Sequence, residues 1–108
     1  MNDPNGKTAH EPGAKLDAGK VRADLVMSGF PLALLAVAEV ATYGAHKYTE
    51  NGWRQVPDGV RRYTAAKDRH RLLGAIETRD PESNLLHAAH EAWNALAVLQ
   101  LMLEARCE

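Results

Sequence analysis

A chain of 108 residues with 45% hydrophobic and 25% charged residues and a net charge of −1 is long enough for one domain with one core and too short for two. That balance excludes wholesale disorder, and a charge so near neutral argues against a long nucleic-acid polymer as partner. The apolar stretches around residues 30–45 and 92–103 are broken by Glu39 and Gln100 and are too short to span a bilayer. The polar start MNDPNGKTAHEPGAK lacks the apolar run of a secretory signal. The single cysteine, Cys107, has no intrachain partner and reads as an inert thiol of a reducing compartment. The expectation is a cytoplasmic protein with no membrane contact.

Residues 1–14 carry Pro4, Gly6, Pro12 and Gly13 without apolar periodicity and are expected to form a flexible arm. Residues 15–108 are expected to form one helical domain. In KLDAGKVRADLVMSG, residues 15–29, alternating charges and Gly19 predict an ordered loop with at most a short helical turn. Lys15, Asp17, Lys20 and Arg22 crowd this stretch as a ligand-contacting segment would require.

The first principal helix is predicted from Pro31, a favoured first-turn residue, to about residue 48. It is almost wholly apolar up to Tyr43, so it is expected to be buried on most sides. TENGWRQVP, residues 49–57, reads as a loop. A second helix is expected from Asp58 as its N-cap to about residue 77, weakened near its end by Gly74. Asp80 followed by Pro81 predicts the start of a third helix, from residue 81 to about 105. The fold class is all-α: a small bundle of three principal helices with an N-terminal loop arm. Its broad apolar faces leave more surface than a monomer would expose, so the bundle is expected to be completed by homo-oligomerisation, with the site near an interface.

The middle is basic: residues 44–71 hold seven Lys or Arg against three Asp or Glu, and residues 72–108 two against six. Such a patch suits phosphate. Glu39, Tyr43 and His46 share a stripe of the first helix, and a carboxylate buried there needs a cation, a metal ion or a proton. The second helix puts Tyr63, His70 and Glu77 on one face and Arg62 with Arg69 on a neighbouring one, where guanidinium forks match phosphate oxygens. On the third, His87, His90, Glu91 and Asn94 fall at spacings of three and four, close enough for two side chains to reach one metal ion or phosphate. Asp80 reads equally as a cap. Tyr48 and Trp53 flank Asn51-Gly52, placed either to stack on a nucleobase or to anchor the loop. Trp93 reads as packing.

Together, GAKLDAGKVRADL, then Glu39, YGAHKY, NGW, RRYTAA, RH and DPESNLLHAAHEAWNALAVL, over roughly residues 13–101, resemble the phage-associated family of dATP/dGTP diphosphohydrolase N-terminal domains. The resemblance implies a helical phage protein related in function to the all-α nucleoside triphosphate pyrophosphohydrolases, which cleave between the α- and β-phosphates. The matching positions are Lys15, Asp17, Lys20, Arg22, Glu39, Lys47, Tyr48, Asn51, Trp53, Tyr63, Arg69 and His70. From the third helix come Asp80, Glu82, Ser83, His87, His90, Trp93 and Asn94.

Two readings follow. In the first, a phage nucleotide-pool enzyme hydrolyses dATP or dGTP to the monophosphate and pyrophosphate with Mg²⁺ or Mn²⁺. Glu39, His70, Asp80, His87 and His90 carry the chemistry, and Glu39, Asp80 and Glu82 hold the metal. Lys15, Asp17, Lys20, Arg22, Lys47, Tyr48, Asn51, Trp53, Tyr63, Arg69 and Asn94 bind the nucleotide. In the second, the protein sequesters a nucleotide signal of a host defence system without turnover and needs no cofactor. Few carboxylates, a basic middle and many histidines suit binding without an activated water. Either way the partner is a nucleotide or another phosphorylated small molecule.

Overall fold

The computed structural model describes residues 2–106, so Cys107 lies outside them. The protein is all-α, with three principal helices, and divides into two compact units, residues 1–30 and 31–108.

The first unit is built of turns. Gly6, Gly13 and Gly19 adopt φ between 80° and 83°, conformations open to glycine and strained for most other residues. Asp3 is buried, and its carboxylate accepts the backbone N–H groups of Asn5 at 2.7 Å and Lys15 at 2.5 Å. Those bonds, that to Lys15 first, hold its carboxyl below the usual carboxylate range. An isolated antiparallel bridge joins Asn2 to Ala18. The short helical turn expected here is α1 (Asp24–Gly29).

In the second unit, α2 (Pro31–Lys47) starts at the expected proline and ends with His46 and Lys47 beside the last carbonyls, where positive charge meets the negative end of the helix dipole. A 3₁₀ turn, Gly52–Gln55, lies in the loop that follows. Helix α3 (Gly59–Gly74) is shorter than expected. Asp58 does not cap it: its φ is 58° and its carboxylate takes Arg61 instead. At the other end the chain loosens into a turn in which Glu77 N donates to Leu73 O at 2.9 Å.

The last helix, α4 (His87–Arg106), begins six residues after the proline that was expected to open it. Asp80 does accept from Ser83 N at 3.0 Å, as a cap would. The turn then closes at Asn84, whose φ is 60°, a left-handed conformation that ends helical propagation. Arg79 and Leu86 bridge across it, and His87 N donates to Thr78 O at 3.1 Å, which fixes the start of α4.

Helix α4 packs on α3 and on α2. Its buried residues His87, His90, Asn94 and Ala97 recur at spacings of three and four, one stripe of the helix, polar at its start and small at its end. Glycines let α3 and α4 approach. A Cβ on Gly59 would meet Leu101 Cδ1 at 2.9 Å, and one on Gly74 would meet His87 Cβ at 3.3 Å. The start of α3 thus faces the end of α4, and the two run antiparallel.

Among the described residues the buried apolar side chains are only Val40, Ala89 and Ala97. Leu32 is 83% exposed and Leu35 65%, while Leu96, Leu99, Met102 and Leu103 of α4 remain about half exposed. Helix α2 is therefore not buried on most sides, contrary to what its composition had suggested: among the described helices α4 is the one that packs on it appreciably.

Candidate functional site

The second unit holds an open cleft of about 1300 Å³ whose walls come from α2, the 49–56 loop, α3, the 80–82 turn and α4. That volume exceeds the range of ordinary small-molecule pockets.

At its foot three imidazoles meet. His70 lies with Nδ1 2.9 Å from His87 Nδ1 and stacks on His90, ring centroids 4.5 Å apart and planes 9° from parallel. Two carboxylates stand behind them. His87, whose side chain has no exposure, places Nε2 3.0 Å from Glu77 Oε1. His90 Nε2 lies 2.8 Å from Ser83 Oγ, and that hydroxyl is 2.9 Å from Asp80 Oδ2. Because an ionised carboxylate only accepts, Ser83 donates to Asp80 and His90 donates to Ser83.

Burial pushes the His70 and His90 imidazoles below the ordinary histidine value, so both are neutral at pH 7. Asp80 is pulled up by burial, but the two Ser83 hydrogen bonds with His90 and His70 outweigh that and leave its carboxyl below the usual range.

The rim is cationic and aromatic. Arg62 and Arg69 line the cleft from α3, and Arg69 makes no hydrogen bond or ion pair among the described residues. Lys47 holds Glu82 Oε1 at 2.7 Å, a hydrogen bond that raises its ammonium pKa, and it stands 5.2 Å from the centre of the Tyr48 ring. Burial first, then the Glu82 charge, pushes the Tyr43 phenol up. Trp53, Tyr63 and Trp93 form an edge-to-face cluster with centroids 5.6–6.2 Å apart. Tyr63 donates to Trp53 O at 2.8 Å. Trp53 thus anchors its loop and also lines the cleft. Asn94, buried on α4, donates Nδ2 to His90 O at 2.8 Å and borders the same space, as does Asn51.

The cleft therefore gathers Lys47, Tyr48, Asn51, Trp53, Tyr63, Arg69, His70, Asp80, Glu82, His90 and Asn94, with His87 buried against His70. Lys15, Asp17, Lys20 and Arg22 belong to the first unit, where all four are exposed and Arg22 pairs with Asp24 at 2.7 Å.

Glu39 corrects the expectation of a buried carboxylate. It is exposed on α2, without an ion pair among the described residues, in a shallow depression that adjoins the cleft at Thr42, Tyr43 and His46. The donors expected for a divalent ion do not fit one. Glu39 stands apart, Glu82 is engaged by Lys47, and among the described residues no group of three or more His, Cys, Asp or Glu side chains is placed to hold a metal ion.

Two participants were named in the sequence reading without being given a role in the site. Glu77 follows His70 by seven residues on one helical face, the signal that could have found it. Ser83 had no signal beyond the resemblance.

A family model described as dATP/dGTP diphosphohydrolase, N-terminal, matches residues 10–107. Comparison with curated proteins gives no match, and neither does comparison with solved structures.

Proposed function

Because the chain belongs to the dATP/dGTP diphosphohydrolase, N-terminal, family, we propose that it binds a purine deoxynucleoside triphosphate in the cleft and hydrolyses it to the monophosphate and pyrophosphate, as part of the nucleotide metabolism of a phage. The observation that carries this reading is a neutral, hydrogen-bonded histidine cluster beneath a rim of arginines. Arg69, with Arg62 and Lys47, neutralises the phosphate chain. The base lies along Tyr48 and Trp53, where an aromatic face offers stacking, and Asn51 and Asn94 supply its polar partners. A water positioned by His70 attacks the α-phosphorus and gives its proton to the imidazole. The bond from that phosphorus to the bridging oxygen breaks, pyrophosphate leaves, and His70 returns the proton to solvent.

Incubating the full chain with dATP or dGTP, with and without Mg²⁺ or Mn²⁺, and measuring pyrophosphate tests the reaction; no release under any of these conditions removes it. The dispersal of Glu39 from Asp80 and Glu82 favours a second reading, in which the same cleft sequesters a nucleotide without turnover. Recovery of intact nucleotide from the heated complex selects that one.

Both readings make Arg69 a phosphate partner. Charge-assisted hydrogen bonds contribute about 1.5–3 kcal/mol, so Arg69→Ala is expected to weaken dGTP binding by about ten- to a hundredfold in calorimetry. Unaltered affinity would take the phosphates elsewhere.

The thin apolar interior and the exposed Leu96, Leu99 and Leu103, one stripe of α4, support a symmetric homo-oligomer. Sedimentation is expected to find one at micromolar concentration, and Leu99→Glu to shift it toward monomer. A wild-type monomer would contradict the assembly.

A further inference from the structure

Glu77 sits in the loose turn after α3, outside the set of residues that line the cleft. Its Oε1 lies 3.0 Å from His87 Nε2, and since the carboxylate can only accept, that nitrogen carries a hydrogen. The His87 side chain has no solvent exposure. A neutral imidazole carries one hydrogen, and here Glu77 takes it. With its one hydrogen at Nε2, His87 presents a lone pair at Nδ1, and the 2.9 Å contact with His70 Nδ1 then requires the hydrogen of His70. His70 holds its proton on Nδ1, the less favoured tautomer of a free histidine, and keeps a lone pair on Nε2. That atom has no hydrogen-bond partner among the described residues, where no unpartnered polar side-chain atom is buried, so it opens into the cleft that His70 lines.

We propose that Glu77 is a positioning residue which, acting through His87, fixes the proton of His70 on Nδ1 and leaves Nε2 as a proton acceptor facing the cleft. The chain of three is directional. Reversing either hydrogen bond would turn the acceptor into a donor, and a water or ligand N–H in the cleft would then meet a hydrogen instead of a lone pair. The groups facing His70 are His87 and His90 from α4, Asp80 from the 80–82 turn and Arg69 on its own helix. Burial, then His90 and His87, keeps its imidazole below the ordinary histidine value, so the acceptor persists at neutral pH. The catalytic consequence, though not the tautomer, rests on the reading of the cleft as a hydrolytic site.

The test is the tautomer itself. Two-bond ¹H–¹⁵N spectra of the full-length ¹⁵N-labelled protein at pH 8 are expected to show His70 protonated at Nδ1 and unprotonated at Nε2, with His87 the reverse. Glu77 is 41% exposed, so Glu77→Ala removes little packing, and it is expected to return His70 toward the Nε2–H form. With dGTP as probe, the same variant is expected to lose kcat by about a hundredfold at unchanged KM. A wild-type His70 bearing its hydrogen on Nε2, or a tautomer unmoved by Glu77→Ala, overturns the proposal. The predicted tautomer in a protein that turns over no nucleotide upholds the relay and overturns the hydrolytic reading instead.

Discussion

Replacing His70 with glutamine is expected to lower kcat for hydrolysis of the preferred purine deoxynucleoside triphosphate by about 10²–10⁴-fold, the usual contribution of a positioned general base, while KM changes little. The reasoning separates two kinds of contact. Arg69 and Lys47 meet charge that the substrate carries before and during reaction, so losing them weakens binding from the ground state onward. His70 meets a proton that leaves water only as the new bond to phosphorus forms, so its loss is felt in the transition state alone. Glutamine keeps an amide for the hydrogen bond to His87 and approximates the volume that stacks on His90, so the variant reports on basicity more than on packing. In the wild type kcat is expected to fall on the acid side, as His70 gains a proton, at a pH below the ordinary histidine value of about 6.5. The glutamine variant is expected to lose that limb. Stopped-time assays of pyrophosphate release across pH 5–9 check both statements, and an unchanged kcat in the variant takes His70 out of the chemistry.

How far the sequence goes toward this site depends on the range of each interaction. The start of α2 at Pro31 and the apolar run behind it are local, and they place that helix to within a residue of its observed end at Lys47. The spacing of His87, His90 and Asn94 likewise predicts one face, and that face is buried. The start of α4 is a different matter. Asp80 and Pro81 are genuine capping signals, and Asp80 does cap a turn, but a left-handed Asn84 and the pairing of Arg79 with Leu86 hand the helix start to His87. These are contests between neighbouring segments that no periodicity records. Glu39 fails for a related reason. An apolar helix implies a cover, yet composition does not say whether the cover comes from the same chain, and here Glu39 is exposed. Glu77 was visible as a carboxylate in register with His70, but its value lies in a contact with His87, ten residues further on, across a turn whose geometry is set by the packing of α3 on α4.

Truncating His87 to alanine is expected to destabilise the protein by about 2–5 kcal/mol, from the cavity left by a buried side chain and from the partners it abandons. Two features separate this from an ordinary core truncation. The imidazole is the one described side chain with no exposure at all, and it joins two groups, Glu77 Oε1 and His70 Nδ1, that lie on its opposite sides. Glu77 reaches water and can be resolvated, whereas the His70 nitrogen faces inward and loses its only partner. His87→Leu restores apolar volume without the hydrogen bond, and is expected to recover part of the loss while remaining less stable than the wild type. Urea denaturation of the three proteins at pH 8 measures the order. The same cluster sets the response to acid. His70 and His90 have folded-state values below their unfolded ones, so below about pH 6.5 the unfolded chain takes up protons that the folded one refuses. Their contribution is complete above that pH and drains away as the pH falls through and beneath it. Asp80 and Asp3, also depressed, hold theirs above the ordinary carboxylate value near 3.8 and surrender it only in stronger acid. Unfolding free energy is therefore expected to decline in two stages, and replacing both His70 and His90 with glutamine is expected to flatten the first while sparing the second. A single transition confined to the carboxylate range in the wild type would mean that the folded protein takes up those protons as readily as the unfolded chain does, and the depressed imidazoles at the cleft would be ruled out.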